Sequence, residues 1–217
     1  MSGPPTIAVV DYGAGNLVSI EQALTTVGAR VTIVRNAAGL GGVDGLVVPG
    51  VGAAGPAMER LTGADLVAPI RRWIADGRPY LGICLGLQLL FEGSDEDDAT
   101  TFGVLPGRTR RLLDAPTLPH IGWNQVERRR GHPLLEGIAD CADFYFVHSF
   151  AGVVSEEAFD TVVADTNHGR PFASVVAREN VLGVQFHPER SGDDGLRLLG
   201  NFAALVRAGV DGVTVPA

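Results

Sequence analysis

Short β-branched runs alternate with helical patterns through the first half of the chain. Thr6 to Val10 is almost wholly apolar, Leu17 to Val27 carries its apolar positions at helical spacing, and Arg30 to Val34 and Leu46 to Val48 are again strand-like. A longer helical stretch to about Ala75 follows, then a strand over Pro79 to Ile83 and a helix over Leu85 to Glu92. Continuously apolar strands separated by helices predict a parallel sheet covered on both faces. The second half has a different rhythm. Strand-like pieces at Arg108 to Leu113, Gln125 to Arg129, Phe144 to His148, Thr161 to Ala164, Phe172 to Ala177 and Val181 to Phe186 follow one another without long helices, and a final helix runs from about Asp193 to Arg207. The expected fold class is α/β: an open, mostly parallel twisted sheet flanked by helices, with an antiparallel or mixed extension.

The 217 residues contain no internal repeat or low-complexity linker, so residues 1–208 are expected to form a single domain, with Gly209 to Ala217 as a loosely held tail. A hydrophobic share of 46% against 19% charged suits a sheet buried on both faces. The formal charge of -8 argues against nucleic acid as a partner, since a phosphate backbone needs a basic stripe. All 17 basic residues are arginine, which excludes Schiff-base chemistry on a lysine. Met1-Ser2-Gly3-Pro4-Pro5 carries no basic segment ahead of an apolar stretch, and no apolar run approaches ~20 residues. A soluble, cytoplasmic protein without a membrane partner is therefore expected. The two cysteines, Cys84 and Cys141, are too few for a disulfide framework and are expected as free thiols. The acidic stretch Ser94-Asp95-Glu96-Asp97-Asp98 reads as a solvated turn.

Candidate chemistry concentrates at Tyr80-Leu81-Gly82-Ile83-Cys84-Leu85-Gly86-Leu87-Gln88, where a strand meets a helix with a glycine two residues to either side of a cysteine. This has the form of a nucleophile elbow: the sharp turn strains the central residue, and the glycines remove side chains that would collide there. The helix beginning at Leu85 would bring free N–H groups and its positive end to the sulfur, and so offer an oxyanion donor. A cysteine nucleophile needs a base. His187 follows an apolar strand in Gly183-Val184-Gln185-Phe186-His187-Pro188-Glu189, and Glu189, held beyond a rigid proline, can orient its imidazole. Cys84 and His187 lie 103 positions apart, yet strand ends of an open parallel sheet converge on one site. His120, His132, His148 and His168 lack such a combination, and Cys141 has no elbow around it. The glycine-rich turn Pro49-Gly50-Val51-Gly52 could present a second oxyanion donor. Asp11-Tyr12-Gly13-Ala14-Gly15-Asn16 is either a phosphate loop or a tight connection, and it lacks the third glycine of a dinucleotide fingerprint.

These motifs, together with Leu118-Pro119-His120-Ile121-Gly122-Trp123-Asn124 and Tyr145-Phe146-Val147-His148-Ser149, resemble the class I glutamine amidotransferases, and within them the glutaminase subunits of imidazole glycerol phosphate synthase. The resemblance spans nearly the whole chain. It implies a glutaminase of histidine biosynthesis that needs no cofactor and no metal, with Cys84, His187 and Glu189 as catalytic triad. N–H groups near Leu85 and near Val51 or Gly52 would hold the oxyanion; Gln88, Glu96, Ser149 and Phe150 would hold L-glutamine. Ammonia would pass to a (β/α)₈-barrel cyclase subunit, with Asn16, Trp123, Tyr145 and Arg190 at the partner surface or ammonia passage. Leu87, Phe150 and Arg190 stand where many relatives carry methionine, tyrosine and lysine, and Arg190 alone bears on function, because arginine presents a planar fork in place of a point charge. Trp123 could equally be an ordinary core aromatic. Competing expectations are an amidotransferase subunit of another biosynthetic pathway, a cysteine peptidase or other thiol hydrolase, and a non-catalytic binding module on the same fold.

Overall fold

The computed structural model describes residues 3–154 and 156–210. Its strands in chain order are β1 (Thr6–Val10), β2 (Arg30–Val34), β3 (Gly45–Gly50), β4 (Tyr80–Cys84), β5 (Gly93–Ser94), β6 (Ala99–Thr100), β7 (Gly107–Arg111), β8 (His120–Arg128), β9 (Ala142–His148), β10 (Phe150–Val154), β11 (Val162–His168), β12 (Arg170–Arg178) and β13 (Val181–Val184). The α-helices are α1 (Leu17–Thr26), α2 (Ala54–Gly63), α3 (Val67–Ala75), α4 (Leu85–Gln88) and α5 (Gly192–Val210). Nine strands make one sheet in the order β2-β1-β3-β4-β13-β12-β11-β8-β9, parallel from β2 to β13 and antiparallel from there on. A second sheet of four strands, β10-β7-β5-β6, lies outside that order.

Alternation along β1 shows why the parallel half is apolar throughout. Ile7 and Val9 pack into the cluster that holds Ile20 and Leu24 of α1 and Leu198 and Phe202 of α5, whereas Ala8 and Val10 pack with Leu61 of α2 and Ile70 and Trp73 of α3. Each face is thus roofed by its own pair of helices, the arrangement parallel strands require. Helix starts are satisfied by side chains: Asn16 Oδ1 accepts from the Ser19 N–H at the head of α1, and Asp97 Oδ2 accepts from the Gly55 N–H at 2.6 Å at the head of α2. The acidic stretch is therefore more than a solvated turn. Asp97 serves a helix terminus, while Asp95 and Asp98 pair with Arg108.

Several boundaries differ from expectation. The stretch to Ala75 is two helices, broken where Asp65 takes φ +54° between them. The helix expected to reach Glu92 stops at Gln88, because the carbonyls of Leu89, Leu90 and Phe91 accept from Phe102, Val104, Leu105 and Gly103 instead of continuing a helical ladder. The strand expected from Gln125 begins at His120, paired residue by residue with β9. Helix α5 runs to Val210, so Gly209 and Val210 are helical, and residues 211–217 of the expected tail, like Met1 and Ser2, lie outside the described residues. No helix among the described residues is long and apolar enough to cross a membrane.

Candidate active site

Cys84 ends β4 and caps α4 with φ +54° and ψ −107°, a left-handed conformation that a non-glycine residue holds only under tight constraint. The constraint is visible in its neighbours. A Cβ on Gly86 would stand 1.7 Å from the Val48 carbonyl oxygen, and one on Gly82 would stand 2.4 Å from the Gly86 carbonyl oxygen, so strand and helix approach closely only because both positions are glycine. The elbow expected from the Gly-x-Cys-x-Gly spacing is present. Its helix is a single turn, so what it offers the site is the first free N–H groups at Leu85 rather than a long helix dipole.

β13 pairs in parallel with β4, Val184 opposite Ile83, and the chain leaving β13 carries Gln185 and His187 back to the end of β4. The His187 imidazole is nearly buried, and its Nδ1 lies 2.8 Å from Glu189 Oε1. A carboxylate accepts, so Nδ1 carries the proton and Nε2 is left toward the nucleophile. Nε2 makes no hydrogen bond of full geometry, although the Cys84 thiol is close enough to act on the ring's charge. Burial by itself would lower the His187 pKa, but the close Cys84 sulfur and the hydrogen bond and charge of Glu189 outweigh it and push the pKa up to about 10. The shift favours the protonated ring, an acid beside the sulfur.

A cleft of about 270 Å³ opens over Cys84. Val51, Gly52, Gln88, Glu96, Ser149 and Phe150 all line it, so the structure brings these six sequence candidates together at the nucleophile; Leu85 is buried directly beneath as the first residue of α4. Burial and then the neighbouring Asp97 charge raise the Glu96 pKa. Gln88 is more engaged than its helix position suggested: its Nε2 donates to the Phe150 carbonyl at 2.8 Å and to Gln185 Oε1 at 3.1 Å, leaving its oxygen for a ligand. The Asp11 to Asn16 loop does not cradle an anion. Gly13 N–H bonds Asp11, Arg60 holds the Gly13 carbonyl, Asn16 caps α1, and the loop packs on Pro49 and Gly50.

Trp123 is 58% exposed, which removes the core reading. It meets Tyr145 edge to face at 6.1 Å, and the Arg190 guanidinium lies 4.5 Å over the same Tyr145 ring. With Ile121, 59% exposed, they make an aromatic and cationic patch on β8, β9 and the turn Pro188–Arg190 that follows His187. Asn16 stays exposed as the cap of α1.

Sequence reasoning missed two features. Gln185 sat in a quoted motif without a role, although its Nε2 reaches Cys84 Sγ at 3.5 Å; its spacing of two from His187 in an extended segment was the available signal. His120 and His148, set aside because neither has an acid in register as His187 does, bond to each other at 3.1 Å, with His148 lining the cleft. Burial lowers both, to about 4 for His120 with help from His168, and to about 3 for His148 despite its bond to Phe150.

Comparison with known proteins places these features in a family. The family described as glutamine amidotransferase class-I matches residues 8–205. An imidazole glycerol phosphate synthase subunit HisH from Symbiobacterium thermophilum is 47% identical over 92% of this chain and 94% of its own length. One from Salinibacter ruber is 45% identical over 95% of this chain and 98% of its own. Among solved structures, that of PurLQS from Thermotoga maritima superposes with a TM-score of 0.73 at 18% identity, over 93% of this chain and 99% of that one, a likeness of fold alone.

Proposed function

The chain belongs to the class I glutamine amidotransferases, and from that premise we propose that it serves as the glutaminase subunit of an imidazole glycerol phosphate synthase in histidine biosynthesis. It hydrolyses glutamine to glutamate and ammonia and delivers the ammonia to a cyclase partner. The observation that carries the reading is Cys84 in a strained left-handed elbow beside the His187–Glu189 pair, at the floor of the cleft.

The chemistry follows from that geometry. Cys84 Sγ attacks the side-chain amide carbon of glutamine, forming a C–S bond and pushing charge onto the amide oxygen. N–H groups at Leu85 and at Val51 or Gly52 hold that oxyanion. His187 Nε2 gives its proton to the amide nitrogen, the C–N bond breaks and ammonia leaves. Water then adds to the thioester carbon, passing a proton back to Nε2, and the C–S bond breaks to release glutamate. Glu189 keeps the ring in the tautomer that lets one nitrogen do both transfers. Gln88, Glu96, Ser149 and Phe150 form the glutamine pocket.

A (β/α)₈-barrel cyclase is the proposed partner, docked on the exposed patch of Ile121, Trp123, Tyr145 and Arg190, with Asn16 at the rim. Aromatic residues and arginine are what an interface core favours. Free thiols at Cys84 and Cys141 suit a cytoplasmic setting. The test is glutamine hydrolysis by the chain with a histidine-pathway cyclase and its substrate, beside Cys84→Ala in the same complex. Cys84→Ala should abolish glutamate release while added ammonium still supports cyclisation. Glutamine use by Cys84→Ala near the parent rate would sink the assignment.

A further inference from the structure

We propose that Gln185 is a further catalytic residue, its side-chain N–H donating to Cys84 Sγ and holding the sulfur as an anion aimed into the cleft. The inference rests on Cys84 being the nucleophile, and adds a donor that the triad does not supply.

The orientation of the Gln185 amide follows from a carbonyl two residues removed along the hydrogen-bonded chain. The Phe150 carbonyl can only accept, so the Gln88 group 2.8 Å from it is the NH₂ end. The second hydrogen on that nitrogen then points at Gln185, and the Gln185 atom 3.1 Å away must be its oxygen. The NH₂ end of Gln185 is left facing Sγ, 3.5 Å away, within reach for a sulfur acceptor. A flipped Gln185 would set its NH₂ against the Gln88 NH₂, donor against donor, so the buried environment permits one orientation.

The same carbonyl is held from its other side. His148 Nδ1 lies 2.8 Å from the Phe150 oxygen and must donate, which makes His148 Nε2 an acceptor for His120 Nδ1–H, and His120 Nε2 an acceptor for the Asn124 amide at 3.1 Å. Two donors therefore fill both lone pairs of Phe150 O, and the carbonyl that sets the polarity of the Gln88–Gln185–Cys84 chain has no freedom to turn. Gln185 is fully buried, so its N–H has no water to exchange with and faces the sulfur alone. A buried donor held in place by other bonds is worth most to the charged form of its acceptor.

The experiment is alkylation of Cys84 by iodoacetamide, followed by peptide mass spectrometry to separate it from the exposed Cys141, over a range of pH. In Gln185→Leu the rate at pH 7 should fall about tenfold, the loss of one hydrogen bond to a charged group, and should rejoin the parent rate at high pH, where the thiol ionises without help. Gln185→Glu keeps an acceptor for Gln88 but sets a carboxylate beside the sulfur, and should be slower still at pH 7. Each variant is read only when its circular dichroism and melting point show it folded. For the case in which neither folds, ¹⁵N spectra of the parent should show a Gln185 side-chain amide that moves as Cys84 ionises and is static over that range in Cys84→Ala. Parent-like alkylation at pH 7 in a folded variant, or an amide signal indifferent to Cys84, overturns the proposal. No glutamine is present in this assay, so its failure is distinct from failure of the glutaminase reading, which would appear as absent glutamate release in the cyclase complex.

Discussion

Gly50 lies directly opposite Cys84 in the parallel register of β3 and β4. The turn proposed to carry the second oxyanion donor therefore starts one residue beyond the strand partner of Cys84, and sheet pairing sets Val51 and Gly52 in the same cleft as the sulfur. The position is crowded from behind. A Cβ at residue 50 would fall 2.0 Å from the Tyr12 hydroxyl and 3.0 Å from Leu85 Cβ, so the opening loop is packed against the root of this turn.

That crowding can be measured. Gly50→Ala should destabilise the protein by about 1 to 3 kcal/mol, the usual range for forcing an extra carbon into a filled core. The Tyr12 hydroxyl is buried with no hydrogen-bond partner among the described residues, so Tyr12→Phe should cost little. The double variant, which removes the colliding oxygen, should be more stable than Gly50→Ala alone. Urea melts of the four proteins decide it; strictly additive losses would mean that Tyr12 is not what excludes a side chain at residue 50.

Glu189 bonds His187 Nδ1 and is not among the residues that line the cleft, so its effect should be on turnover. Glu189→Gln, which can present an N–H where an acceptor is needed, should lower kcat by orders of magnitude while KM for glutamine changes little. A raised KM at unchanged kcat would remove Glu189 from the triad.

Much of the parallel half was legible because its signals are local. Apolar runs mark β1 to β4, and the glycines around Cys84 announce a close approach that the structure places at the Val48 carbonyl. Of the second sheet only β7 was legible, in the strand expected over Arg108 to Leu113. β5 and β6 have two residues each, too short for any periodicity, and the end of α4 depends on residues 102–105 taking its carbonyls, a contact that no local pattern encodes. The placement of His187 and Glu189 beside Cys84 was readable from motif form, but the role proposed for Gln185 needed the orientation of a distant carbonyl. The bond between His148 and His120 was not legible, because the two lie on strands 28 positions apart that only tertiary pairing brings alongside.

The His120–His148 pair should make the fold acid-sensitive. His148 titrates near 3 when folded and near its ordinary value when unfolded, so its contribution is complete above about pH 6.5 and is lost as pH falls toward 3. By pH 5 the unfolded chain gains about 2 kcal/mol from protonating this one group. Stability by urea should drop from pH 7 to pH 5 by about that much more in the parent than in His148→Gln, which does not titrate. His187 acts in the opposite sense, being charged in the fold up to about pH 10, so it cannot produce the acid loss. Equal drops in the two proteins would show that His148 is not held neutral.

The turn itself supplies the last prediction, that this subunit alone is a poor glutaminase and becomes much faster when the cyclase binds its own substrate. The turn is pinned at one end and open at the other: Gly50 abuts Tyr12 and Leu85, whereas a Cβ on Gly52 would meet nothing within 4 Å, and Gly52 already sits at φ +91°. A peptide between such residues can rotate at small steric cost, and whether its N–H or its carbonyl faces the cleft decides whether the oxyanion has its second donor. One absent donor costs about 3 to 4 kcal/mol, or about 10²- to 10³-fold in rate, enough to gate the enzyme with the triad unmoved. Val51 is 49% exposed, so a docked partner can reach the turn and favour its active form. Glutamate release should be followed for the isolated subunit, the empty complex and the complex holding cyclase substrate or a close analogue. Turnover should rise by about two to three orders of magnitude in the last, and equal turnover in all three would eliminate gating while leaving the Cys84 chemistry in place.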